Sequence, residues 1–297
     1  MTSNTCKPAP SMTSNTSKPS PSLTTTIYKR VAIVLSLATT VLLTTYCGVI
    51  NLFPVSDDQK LGAQFDAEIR ADPKQFPIHT NPAVKSYVQG MVNRIIQAPE
   101  VKYDGTFPYR VEIIHDDNTI NAFCTPGGYI YVYTGLLKAI DNEATLAGVI
   151  GHEIAHAEAR HSTERMSTQL GAEMLIAIAL GKANQNIQLA ANMFAGLGLL
   201  KNSRSDETEA DELSFKYLRS TSWYPGGIQF FFDKVKGRNS GGSIERLLST
   251  HPLPQDRIDA TQKRLKAANI PPPTEAQLNA RGYTEFKRTI DGGVTGR

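Results

Sequence analysis

Cysteine and charge imbalance are both scarce in this chain. Its 297 residues include three cysteines, Cys6, Cys47 and Cys124, too few and too scattered for a disulfide framework or a cysteine-built zinc module. Lys and Arg number 31 against 28 Asp and Glu, a net charge of +3. No long basic block concentrates that excess, so the electrostatic footprint of a nucleic-acid binder is missing and no nucleic acid is expected as a partner. What the chain does have is 40% hydrophobic residues, ordinary for a globular core, in a length that suits about two domains.

Residues 1–28 are dominated by Thr, Ser, Pro, Asn and Lys and carry a duplication, MTSNTCKPAPS followed by MTSNTSKPSPS. Such a composition buries no core and predicts a disordered leader. The duplication also makes Met12 an alternative start. Residues 29–56 hold an uncharged stretch whose apolar heart runs from Val31 to about Phe53, long enough for a bilayer at roughly 20 residues per span. Lys29 and Arg30 precede it and Asp57 and Asp58 follow, the flanks of a signal peptide or of an uncleaved anchor with its N-terminus inside. Both readings put the rest of the chain on the non-cytoplasmic side, membrane-associated in the second. Cys47, followed by Gly48, stands where a lipoprotein cysteine would, although Tyr46 is bulky where such signals want a small residue.

Residues 57–268 read as the folded domain and 269–297 as a Pro-rich C-terminal tail. Val84, Val88, Met91, Val92 and Ile95 form a helical stripe. Residues 108–117 alternate like a strand, and GGYIYVYTGLL at 127–137 is β-branched and aromatic after a Pro-Gly-Gly turn signal. A long helical segment follows Asp141 and Asn142, either of which could cap it. The Ala-rich run 171–200 is interrupted by Lys182, Asn184, Gln185, Asn186 and Gln188 and reads as a helical hairpin, not a second span. The expected fold is α+β and predominantly helical, with a small sheet whose edge strand precedes the active-site helix.

The chemistry is concentrated in His152-Glu153-Ile154-Ala155-His156. A helix turns about 100° per residue, so the two histidines lie about 40° apart on one face and both can reach one metal ion. Glu153 lies beside that face, where a carboxylate can deprotonate a metal-bound water as general base; zinc needs such a base because it lowers the water's pKa only to about 7. A catalytic zinc keeps three protein ligands. His161 lies about 180° round from His152 and faces away unless the helix breaks first. The extended pattern with a third histidine six residues after the second is excluded, because Ser162 stands where the histidine is required and Ala159 where the glycine is. Glu207 and Asp211 share a helical face, so Glu207 could ligate while Asp211 fixes a ligand imidazole; equally they could be a solvated acidic face. Glu209 lies about 200° from Glu207 and points elsewhere. His251, in a Pro-bounded loop, could contact the metal, gate the open position or hydrogen-bond the tetrahedral intermediate, or could simply pack. Arg160 suits a structural pairing with Asp211 or another acid. His79 and His115 read as surface or loop residues and Cys124 as a small packed one.

Five features in this order resemble the HtpX-like and CAAX-prenyl-protease-like zinc metalloproteases, peptidase family M48. They are Asn121-Ala122-Phe123 with Pro126-Gly127-Gly128, the strand from Tyr129 to Leu136, the motif from His152 to His156, the Glu207/Asp211 pair, and Ser249-Thr250-His251-Pro252. The resemblance covers roughly residues 57–265 and is nearer to the periplasmic, β-barrel-assembly-enhancing and lipoprotein members than to the multi-spanning ones. It implies a zincin-like domain holding one Zn2+ on His152, His156 and Glu207, with Glu153 as general base and Asp211 bonded to a ligand. It also implies that the strand Gly127, Gly128, Tyr129, Ile130 and Tyr131 receives substrate as an added strand. The implied activity is hydrolysis of peptide bonds through a zinc-bound water, in quality control of unfolded or misassembled envelope or membrane proteins. A latent or non-proteolytic, chaperone-like assembly factor is the alternative.

Overall fold

The computed structural model describes residues 51–179, 202–236, 245–252 and 255–292. The Ser/Thr/Pro leader, Cys47 and the apolar run up to residue 50 lie outside the described residues, as does most of the segment expected to form a helical hairpin. Among the described residues no helix is long and apolar enough to cross a membrane. The last residues of the apolar stretch, Asn51 to Phe53, contact the folded domain. Phe53 is buried in the folded domain, the Asn51 amide donates to Thr163 Oγ1 at 2.9 Å, and the Leu52 N–H donates to Ser167 Oγ at 2.9 Å.

Two helices open the domain, α1 (Val55–Ala71) and α2 (Pro82–Ile95). The stripe read from the sequence, Val84 through Ile95, is the buried face of α2, and Asn81 caps the helix by accepting from the Ala83 N–H. Strands β1 (Arg110–Ile114), β2 (Ala122–Thr125) and β3 (Tyr129–Tyr133) follow, then the short α3 (Thr134–Ala139). They form a three-stranded sheet in the order β1-β3-β2, β3 pairing parallel with β1 and antiparallel with β2. This corrects one expectation: the Tyr129, Ile130, Tyr131 strand is the central one. Its residues from Ile130 to Tyr133 are all buried, the continuous burial of a strand flanked on both edges. Gly127 and Gly128, at φ 73° and 81°, are not strand residues but the turn that reverses the chain from β2 into β3. The edge beside the site is β2.

Helix α4 (Glu143–Glu158) runs through the core of the described domain: every residue from Ala144 to Glu158 is buried. Asn142 caps it by accepting from the Thr145 N–H at 2.8 Å. It packs against β2 and against two later helices, α6 (Arg204–Leu218) and α7 (Ile228–Lys236). Glycine lets these neighbours approach, since a Cβ on Gly148 would lie 2.4 Å from the Ile228 nitrogen and one on Gly151 2.7 Å from Ser214 Oγ. Between α4 and α6 lies α5 (His161–Ala179), and α8 (Glu245–Thr250) and α9 (Gln255–Ala267) follow α7.

The C-terminal residues are more than a tail. After the prolines at 271–273 come α10 (Glu275–Leu278) and α11 (Ala280–Asp291), and α11 buries Tyr283, Phe286 and Ile290 against the domain. Phe286 stacks on Tyr87 with centroids 3.8 Å apart, and Tyr283 Oη donates to the Leu137 carbonyl at 2.7 Å. Proline content set the expectation of a tail, whereas the amphipathic spacing after Asn279 decides the packing.

Candidate metal centre

Helix α4 places His152 and His156 one turn apart, their Nε2 atoms 3.0 Å from each other. Helix α6 carries Glu207 against them, Oε2 3.4 Å from His152 Nε2 and Oε1 3.3 Å from His156 Nε2. His251, just beyond α8, brings Nδ1 to 2.9 Å from Glu207 Oε1. Ligand atoms of His152, His156, Glu207 and His251 all lie within 4.8 Å of one another, and all four residues are buried. Zinc bonds of about 2.0–2.1 Å in a tetrahedron set donors roughly 3.3 Å apart. The donor set and its spacing fit zinc.

Around this cluster lies a shell of charge. Asp211 Oδ1 is 3.0 Å from His152 Nδ1, which places the carboxylate that shares a face with Glu207 beside the first imidazole. Arg257 donates to Glu207 Oε2 through Nη1 at 2.5 Å and to both Asp211 oxygens through Nε and Nη2 at 2.7 Å. Its guanidinium also lies over the Phe232 ring, 4.6 Å from the centroid. The Asn202 amide donates to Glu207 Oε1 at 2.6 Å and faces His156 Nε2 at 3.1 Å and His251 Nδ1 at 3.2 Å.

Protonation follows from these neighbours. Burial opposes a charge on His152, but the Glu207 charge and the Asp211 hydrogen bond outweigh it and push its pKa up to about 9. Burial drives His156 well below the usual histidine range. Burial works against the Glu207 charge too, yet the His251 and His152 rings overcome it and hold the carboxyl far below the ordinary range. Glu153 goes the other way: burial raises its pKa, and the His251 and His152 charges only partly offset it. Two buried carboxylates on adjoining elements are thus driven in opposite directions, one toward permanent charge and one toward proton exchange.

The model of peptidase family M48 matches residues 82–265, the stretch that contains the sheet, α4, Glu207, Asp211, His251 and Arg257. The chain belongs to peptidase family M48. Its relatives include the beta-barrel assembly-enhancing protease of Escherichia coli strain K12, 27% identical over 82% of this chain and 50% of the relative. The mitochondrial metalloendopeptidase OMA1 of Schizosaccharomyces pombe is 28% identical over 62% of this chain and 54% of its own. That of Arabidopsis thaliana is 33% identical over 53% of this chain and 31% of its own. The chain spans about half or less of the length of these relatives.

In this M48 chain the other sequence candidates lie both beside the cluster and away from it. Glu153 sits on α4 beside the cluster, its Oε1 3.7 Å from His251 Nε2. Arg160 does pair with an acid, but with Asp58 at 2.5 Å and not with Asp211; Arg257 already occupies Asp211. His161 does not face away, because α4 ends at Glu158 before reaching it, and its Nδ1 lies 2.8 Å from His156 Nδ1. His79 and His115 contact each other at 5.1 Å between centroids, away from the cluster. Cys124, half-buried on β2, donates to the Thr125 carbonyl. Sequence reasoning missed Asn202 and Arg257. The only signal for Arg257 was indirect: two carboxylates on a buried helix face require a cation from somewhere.

Proposed function

We propose that the protein is a zinc-dependent metalloendopeptidase acting on polypeptides of the envelope or of membranes. The observation that carries this is the convergence of His152, His156 and Glu207 at zinc spacing with Glu153 beside them. Zinc, when bound, supplies the Lewis acidity that acidifies water to a pKa of about 7 and polarises the scissile carbonyl. Glu153 takes a proton from the attacking water and returns it to the leaving amine, a task suited to a carboxyl whose pKa is raised by burial. Asp211 lies beside the His152 ring, and Arg257 pairs with both Glu207 and Asp211 where they are buried.

Substrate recognition falls to β2. Among the described residues no strand pairs with its outer edge, and Ala122, where it begins, borders the same cavity as His152, Glu153 and His251. An extended peptide added there would pass the site through main-chain hydrogen bonds, without demanding a particular sequence. The names of the relatives, a beta-barrel assembly-enhancing protease and a mitochondrial metalloendopeptidase, support a role in envelope or membrane protein quality control. The apolar run before residue 51 would tether or export the domain to the non-cytoplasmic side, with lipidation at Cys47 as a second means of attachment.

His251 favours a second reading, a latent or non-proteolytic assembly factor. A fourth protein donor would close the coordination sphere of a bound ion, as in structural zinc sites. Metal content by mass spectrometry and cleavage of unfolded casein distinguish the two, for wild type, Glu153→Gln and Glu207→Ala. The protease reading expects one zinc per chain in wild type and Glu153→Gln, cleavage by wild type only, and metal lost in Glu207→Ala. Zinc without cleavage in wild type would favour latency, and no zinc in wild type would overturn both.

A further inference from the structure

We infer that His161 is a positioning residue for His156: it accepts the Nδ1–H of that imidazole and so leaves Nε2 bare toward the metal site. The inference rests on the metal reading above and concerns a histidine that reading does not use.

Five residues along an unbroken helix is about 500°, which would carry His161 some 140° away from His156. The chain avoids this by breaking. Helix α4 ends at Glu158, Arg160 adopts the left-handed conformation at φ 57°, and α5 starts at His161. A non-glycine residue holds that conformation only when its surroundings impose it, and here they do. Arg160 donates through Nε and Nη2 to Asp58 Oδ2 at 2.8 and 2.5 Å, and Nη2 also donates to the Phe53 carbonyl at 2.5 Å. Thr163 Oγ1, in the first turn of α5, donates to Asp58 Oδ1 at 2.9 Å. The start of the domain thus clamps the break, and the break returns His161, 2% exposed, to the site.

The direction of the hydrogen bond follows from the far side of each ring. His156 Nδ1 and His161 Nδ1 are 2.8 Å apart, so one donates and the other accepts. His156 Nε2 faces His152 Nε2 and Glu207 Oε1 at 3.0 and 3.3 Å. A ligating nitrogen carries no proton, so the proton of neutral His156 is on Nδ1. His161 therefore accepts at Nδ1 and keeps its own proton on Nε2, which faces Glu209 Oε2 at 3.5 Å. Glu209, pointing away from the metal as the helical spacing requires, is where this relay ends. Asp211 lies 3.0 Å from His152 Nδ1 on the other ring, so each of these two histidines has a polar neighbour behind it.

The test uses the purified full-length protein. Zinc affinity by chelator competition is compared for wild type, His161→Phe, which keeps a ring but no acceptor, and His161→Asn, whose amide oxygen can accept near the Nδ1 position. The expected result is a loss of about 10–100-fold in His161→Phe and a change of no more than a few-fold in His161→Asn. Nitrogen-15 NMR of histidine-labelled, zinc-loaded wild type needs no variant and should show His156 metallated at Nε2 and protonated at Nδ1. Unchanged affinity in His161→Phe, or an unprotonated His156 Nδ1, would overturn the inference while leaving the metal site standing. Wild type that takes up no zinc would instead overturn the metal reading and this inference with it.

Discussion

Replacing Arg257 with methionine isolates what the buried charge network contributes. Arg257 is 3% exposed in its side chain, and the carboxylates it serves, Glu207 and Asp211, are 0% and 1% exposed. Four donated hydrogen bonds disappear together, three to the carboxylates and one to the Pro252 carbonyl, and two buried carboxylates lose their cation. Methionine fills much of the volume and keeps contact with Phe232, so packing loss is minor beside the electrostatic one. Removing one partner of a buried ion pair costs about 3–5 kcal/mol. At roughly 2–4 °C per kcal/mol for a domain of this size, the melting temperature should fall by ~6–20 °C. The assay is thermal denaturation by circular dichroism in excess chelator, so that metal does not mask the effect. Arg257→Lys should lie between the two, because an ammonium keeps the charge but not the fork that spans both acids. A drop in Arg257→Met of under about 2 °C, below what the smallest of these costs implies, would refute the reasoning.

Asp58→Ala removes the anchor of Arg160 and should cost about 3 kcal/mol, with faster amide hydrogen exchange from Ala159 to Thr163; unchanged exchange there would show that the break holds itself. Phe286→Ala should cost about 3–5 kcal/mol in urea unfolding, since the ring is 6% exposed and stacked on Tyr87. A loss under about 1 kcal/mol, the range of surface substitutions, would mean that α11 is dispensable. Burial pushes the Cys124 thiol well above its ordinary pKa. Iodoacetamide at neutral pH should therefore label Cys124 far more slowly in the native protein than in urea, by about 100-fold or more; equal rates by peptide mass mapping would contradict that environment.

Much of the site was legible because its spacing is local. Two histidines four residues apart share a helix face whatever surrounds them, and Glu207 and Asp211 do the same; Asn142 could be read as a cap from its place before an apolar run. The sheet order was not legible. β3 follows a Gly-Gly turn and reads as a strand, but whether it lies at the edge depends on β1 pairing beside it across about twenty residues of chain.

The residues of helix α4 and their chemistry were thus determined by the sequence itself, since helical geometry maps four-residue spacing directly onto one face. The tertiary structure alone decided which partners complete them. Arg257 reaches Glu207 and Asp211, Arg160 reaches Asp58 from 102 positions away, and His161 returns to His156 because a left-handed residue held by that distant pair interrupts the helix. Periodicity carries information about faces within an element. Which buried charge meets which across the core is set by how the elements pack, and a buried charge left unmatched is costly enough to select one arrangement.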